Sequence, residues 1–238
     1  MMGWRRASMA RIVPFALFMA FLALRGAVAD HTGWGLDARW IYGVGVVAVA
    51  ASLVFYARDY AELGRGSGLS LSQALIAAAV GAAVFWMWIH LDRDWMQQDH
   101  WTRLVGLGGK AGEATATFTP LDAKGHIQWP LVVVRWIGAT LLVPVMEELF
   151  WRSFIMRWID QPEFERVDPR AASWKAVLGS SGLFMLAHPL WLAAVVTGVI
   201  YAQLYRRTGT LWAPIIAHAV TNGVLGIWVV ATGQWQFW

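Results

Sequence analysis

About seven apolar stretches, many close to 20 residues long, take up most of the 238-residue chain: 12–28, 39–57, 71–91, 130–157, 175–188, 190–205 and 211–231. A helix of about 20 residues spans the ~30 Å hydrocarbon core of a bilayer. In lipid, every backbone N–H and C=O must also find its partner within the protein. The pattern predicts an all-α fold, a polytopic membrane bundle of about seven transmembrane helices in one integral membrane domain covering 1–238. Composition agrees, with 58% hydrophobic and only 14% charged residues against roughly 25% charged in soluble domains. A water-soluble core of this length cannot hide that much apolar surface. The chain has no cysteine, which excludes disulfides, thiolate chemistry and cysteine-ligated metal.

Of the seventeen tryptophans, Trp40, Trp88, Trp129, Trp158, Trp174, Trp191 and Trp212 fall at predicted span ends, as interfacial belt residues do. Gly43, Gly45, Ala48, Ala77, Ala78, Gly81 and Ala82 line the second and third spans, where small side chains let helices approach closely. Arg5, Arg6, the apolar run from Ile12 to Leu24 and Ala27-Val28-Ala29 before Asp30 imitate a secretory signal peptide; the favoured reading keeps this segment as the first span. The net charge of +4 bears on orientation rather than on nucleic acid. With the N-terminus inside, the cytoplasmic side collects Arg5, Arg6, Arg11, Arg58, Arg65, Arg157, Arg166, Arg170, Lys175, Arg206 and Arg207. The outer side holds Arg25, Arg39, Arg93, Arg103, Lys110, Lys124 and Arg135, so the basic excess predicts a cytoplasmic N-terminus. The longest loop, Asp92 to Trp129, then lies outside. It has no clear secondary-structure pattern and reads as a cap or lid.

Charge interrupts the apolar pattern at Glu147-Glu148-Leu149-Phe150-Trp151-Arg152. Intramembrane carboxylates are costly and point to function. At four residues apart, Glu148 and Arg152 share a helix face and can pair, which rotates Glu147 toward other helices as a candidate general base. The structural alternative is that all three snorkel at the cytoplasmic interface. Two more polar sites follow, His188 before Pro189 and the pair His218 and Asn222 on one face of the last span. Each alone is as well read as a packing hydrogen bond. Together, on three spans, they make a plausible reaction centre. Such groups also build proton or cation pathways, which keeps a membrane transporter as the rival reading.

These residues fall in the motifs EExxxR (Glu147, Glu148, Arg152), FxxxH (Phe184, His188) and HxxxN (His218, Asn222). In residues, order and spacing the chain resembles the CPBP family of intramembrane proteases, which includes the CAAX prenyl endopeptidases, with the protease core at about 130–231. Pro14-Phe15, Tyr60 to Leu63, Phe85 to Ile89, Met146 to Trp158 and the ending Thr232 to Trp238 resemble the CAAX protease-related proteins that accompany exosortase and PEP-CTERM sorting systems.

The resemblance implies a bacterial inner-membrane endopeptidase that acts on a membrane-associated protein or peptide and works beside exosortase-system proteins. It implies that Glu147 and His188 activate the water, that His218 and Asn222 donate to the oxyanion, and that Glu148, Arg152 and Phe184 support the geometry. A competing version places Zn²⁺ on Glu147, His188 and His218 with water as fourth ligand, in line with the family's usual description as metalloproteases. Gly179-Ser180-Ser181-Gly182 is similar to the serine motif of rhomboid proteases, with His218 as its base. A non-catalytic scaffold of the sorting system is a further alternative. His31, His90, His100 and His126 fall in or near outer loops and read as solvated surface histidines.

Overall fold

The computed structural model describes residues 2–28, 37–64, 66–105 and 118–238. The junction at Ala29 and Asp30, together with His31, Arg65 and Lys110, lies outside them. Eight helices occupy the described residues: α1 (Met2–Ala27), α2 (Ile41–Phe55), α3 (Leu71–His90), α4 (Gln98–Leu104), α5 (Trp129–Asp160), α6 (Trp174–Leu186), α7 (Trp191–Thr208) and α8 (Trp212–Thr232). An isolated β-bridge pairs Leu121 with Ile127. The chain is an all-α membrane helix bundle.

Among the described residues, five segments have the length and composition to cross a membrane: Arg6–Ala27, Ala38–Phe55, Leu71–His90, Trp129–Asp160 and Trp212–Thr232. Two of the expected seven spans fall short for physical reasons. α6 has 13 residues, about 20 Å at 1.5 Å per residue, and α7 ends in Arg206 and Arg207. They pack against each other as a helical hairpin. Large apolar side chains, among them Val47, Val54, Leu71, Leu75, Trp86, Leu141 and Ile227, point outward, a surface suited to lipid.

Local sequence explains the helix limits. Ser70 caps α3 through the Gln73 amide, and the Gln73 side chain returns the bond to Ser70 N–H. Ser173 caps α6 and is itself held by Asp160 at the end of α5. Pro144 sits inside α5 and has no N–H to donate. Just before it, residues 138–142 adopt a π-helical turn in which Val143 N–H reaches Gly138 O. In that register the next N–H would bond Ala139 O, and Pro144 cannot supply it. Where α3 and α8 cross, a methyl group added at Gly81 would lie 2.2 Å from Ala217 O, and Thr221 Oγ1 donates to Gly81 O at 2.8 Å. Only glycine permits this approach.

Two expectations change here. Trp88 is a wall of the central cavity, edge-on to His188 with ring centroids 5.8 Å apart, because the last turn of α3 faces the α6–α7 turn. The loop expected to lack secondary structure contains α4. Gln98 N–H donates to Pro189 O at 2.8 Å and Gln98 Nε2 to Met185 O at 2.6 Å, which fastens α4 over the turn that carries His188.

At the opposite end, a buried latch closes the bundle. Arg11 pairs with Glu62 at 2.7 Å, Arg11 Nε donates to Ser153 Oγ at 3.0 Å, and Ser153 Oγ donates to Glu62. Burial alone would raise the Glu62 pKa, but the Arg11 charge and the hydrogen bonds from Ser153 and Arg11 outweigh it and hold the carboxyl below its usual range. A depressed native pKa stabilises above the unfolded value of about 4.3 and is lost as pH falls through the native value. Wild-type protein should therefore lose unfolding temperature below about pH 4 by more than Glu62→Gln does. At neutral pH that variant should be less stable by about 3–5 kcal/mol, because Arg11 is left buried and unpaired. Parallel thermal unfolding in detergent measures both.

Candidate active site

Glu147, His188, His218 and Asn222 all line one cavity of about 330 Å³ inside the bundle. That is the small end of the ~300–1,000 Å³ typical of ligand pockets, enough for a short stretch of peptide. Glu147 comes from α5, His188 from the α6–α7 turn, and His218 and Asn222 from α8. Glu147, Glu148 and Arg152 are 6%, 0% and 1% exposed, so none of the three snorkels to an interface.

Glu148 is the hub of the support. One oxygen accepts from His218 Nδ1 at 2.9 Å, and the other forms an ion pair with Arg152 Nε at 3.2 Å. Arg152 is fixed in turn by Gly198 O at 3.4 Å and by the rings of Phe184 and Tyr201 at 4.7 and 5.5 Å. With Nδ1 engaged by a carboxylate, His218 keeps Nε2 for the cavity. Tyr201 lies beside the His218 ring at 5.3 Å and hydrogen-bonds Thr221 Oγ1 at 2.7 Å.

His188 Nδ1 meets Phe184 O at 2.9 Å. A carbonyl only accepts, so Nδ1 carries the proton and Nε2 the lone pair. This explains the four-residue spacing of Phe184 and His188, as the pair is an i,i+4 bond at a helix end, reinforced by ring contact at 4.2 Å. Glu147 Oε2 is buried without a hydrogen-bond partner among the described residues, which leaves that oxygen available to a water. Asn222 Nδ2 donates to Ala139 O at 2.9 Å, the carbonyl that Pro144 leaves unsatisfied. One amide hydrogen thus anchors the side chain and the second remains.

Among the described residues no three His, Asp or Glu groups converge as metal ligands, whereas tetrahedral zinc needs its donors at about 2.0–2.2 Å from one centre. The serine motif falls away from the cavity. Ser180 and Ser181 both donate to Val177 O, at 3.1 and 2.7 Å, and Gly198 of α7 packs on Ser181. Ser181→Ala should retain full activity in a cleavage assay, and loss of activity with normal folding would contradict this placement.

Thr197, Tyr201, Trp88 and Arg135 line the cavity too and were not singled out as site residues by sequence. A signal existed for the first two, since Thr197 and Tyr201 are four apart on an otherwise apolar helix. Of the lining residues, Tyr42, Trp88, Arg135 and Phe237 sit at the end of the bundle opposite the N-terminus of α1. His90, His100 and His126 stand outside the cavity and carry local contacts, to Trp86 O, Asp94 and Asp122.

A cavity lined by carboxylate, imidazole and amide groups within an all-α membrane bundle has the makings of an intramembrane hydrolytic centre. Residues 129–224, which hold every one of these polar groups, match the family model of the Rce1-like type II CAAX prenyl endopeptidases. That segment is accordingly similar to the CAAX prenyl endopeptidases, and the chain is an integral membrane protein. No curated protein and no solved structure matches it.

Proposed function

We propose that this protein hydrolyses a peptide bond of a membrane-associated protein or peptide with water activated by Glu147 and His188. The observation that carries this reading is the division between the two adjacent glutamates: Glu148 accepts from His218, is ion-paired with Arg152 and is not part of the cavity lining, while Glu147 lines the cavity and has an oxygen with no partner among the described residues.

In the proposed reaction the water lies between Glu147 and the Nε2 lone pair of His188. Glu147 takes its proton as the oxygen bonds to the scissile carbonyl carbon. The oxyanion receives hydrogen bonds from His218 Nε2 and the second Asn222 amide hydrogen. For Nε2 to donate, the ring must be protonated on both nitrogens, opposite the Glu148 carboxylate. The tetrahedral intermediate collapses as Glu147 returns the proton to the leaving amine. The roles of His188, His218 and Asn222 follow the family motif, and hydrogen bonds within the protein support the orientation of each.

The basic excess at the α1 end supports a cytoplasmic N-terminus. The cavity mouth would then face the outer side of a bacterial inner membrane, where exported substrates of an exosortase-linked sorting system pass. Adding purified protein to membranes from cells that lack it should produce new peptide termini, detectable by mass spectrometry. Their absence would contradict the reading. Because the donor groups are not gathered as a zinc cage, cleavage should persist in protein shown by elemental analysis to be metal-free after chelation. Loss of cleavage on chelation and its return with Zn²⁺ would assign Glu147, His188 and His218 to the metal instead.

A further inference from the structure

Arg135 is a half-buried cation that the hydrolytic reading does not use. It lies six residues into α5, about 9 Å along the helix from Trp129, and lines the same cavity as Glu147. Its guanidinium is boxed by the rings of Phe118, Tyr42 and Trp238, at 4.3, 5.0 and 5.8 Å. Ring faces attract the charge and leave the in-plane N–H donors unsatisfied. Arg135 Nε is buried with no acceptor, and no carboxylate pairs with the side chain among the described residues. The buried cations are partnered: Arg11 has Glu62, Arg39 has Asp37 and Arg152 has Glu148, while Arg157 donates to Ser153 and to Val167 O. Arg25, which is buried, adds a second positive charge at this end of the bundle.

A preformed cation with free parallel donors at the mouth of a cavity matches a planar acceptor with two oxygens. We infer that Arg135 is a specificity-determining residue that binds a carboxylate of the peptide substrate and sets which bond reaches Glu147. This rests on the peptidase reading above. Arg135 and Glu147 are twelve residues apart on one helix, about 18 Å. An extended peptide covers about 3.3 Å per residue, so the scissile bond lies about five residues from the recognised acid. The acid is either the chain terminus or an Asp or Glu side chain, since both present the same carboxylate.

Three N-terminally fluorescent leucine- and alanine-rich decapeptides distinguish the sources: a free acid, its C-terminal amide, and the amide carrying one aspartate. They are titrated by anisotropy into Glu147→Gln protein in neutral detergent, where binding is read without turnover. At least one acidic peptide should bind ten- to a hundredfold tighter than the neutral amide, and which one identifies the source. Adding Arg135→Gln should erase the preference. Adding Arg135→Lys, which keeps the charge and loses the fork, should reduce it several-fold and covers the case in which the glutamine variant does not fold. Equal binding of all three peptides would overturn the inference. So would a preference that survives in Arg135→Gln with an unchanged unfolding temperature. Displacement of the acidic peptide by short-chain phosphatidylglycerol but not phosphatidylcholine would assign the site to a lipid phosphate and equally overturn it. Acid preference without cleavage by unsubstituted protein would sink the peptidase reading and leave the Arg135 site standing; cleavage without acid preference would do the reverse.

Discussion

Glu147→Gln should lower the rate of peptide hydrolysis by about 10²–10⁴-fold, the usual contribution of a positioned general base, while the folded protein persists in the membrane. The amide has the shape of the acid and lacks its basicity. Stability should hardly change, because Glu147 Oε2 has no hydrogen-bond partner among the described residues to lose, and removing a buried charge relieves a desolvation cost. Cleavage and thermal unfolding, measured on the same detergent preparation, separate the two effects. Normal cleavage would remove Glu147 from the chemistry. Severe unfolding would make it a structural residue.

Arg152→Ala should do the opposite and damage the fold first. It leaves Glu148, with no exposed surface, facing only His218, and removes a guanidinium stacked between Phe184 and Tyr201. Stripping one partner from a buried ion pair typically costs about 3–5 kcal/mol, which lowers the unfolding temperature on the order of ten degrees for a chain of this size. Activity should fall with it, since Glu148 no longer holds His218 Nδ1 from a fixed position. The double variant Glu148→Gln with Arg152→Gln leaves no uncompensated charge and should recover part of the stability. It should stay slow, because a neutral amide cannot replace the carboxylate opposite a doubly protonated His218. A double variant less stable than Arg152→Ala would mean that the ion pair contributes through packing rather than charge.

The bundle was legible because spanning helices announce themselves by length and apolarity, and α1, α2, α3, α5 and α8 all begin and end near the predicted limits apart from the early start of α1. The helical spacing of Glu148 and Arg152 also foretold their contact, and with it the different surroundings of Glu147. Tertiary facts were hidden. That Glu148 reaches His218, 70 residues away, depends on how α8 packs against α5, to which local periodicity is blind. Asn222 read as an oxyanion donor by resemblance, and its bond to Ala139 O emerges only once the π-helical turn before Pro144 is in view. Arg135 read as an orientation charge because its aromatic box draws Tyr42, Phe118 and Trp238 from three distant parts of the chain. Trp88 misled for a related reason, since a tryptophan at a helix end suits both an interface and a cavity wall.

The central claim is that a water activated by Glu147 cuts a peptide bond of another membrane protein. The direct measurement compares protein termini in membranes from cells producing either the unsubstituted chain or Glu147→Gln at equal levels of folded protein. The account predicts at least one new internal terminus with the unsubstituted chain, absent with Glu147→Gln and present with Ser181→Ala. An identical set of termini in the unsubstituted and Glu147→Gln membranes would contradict it.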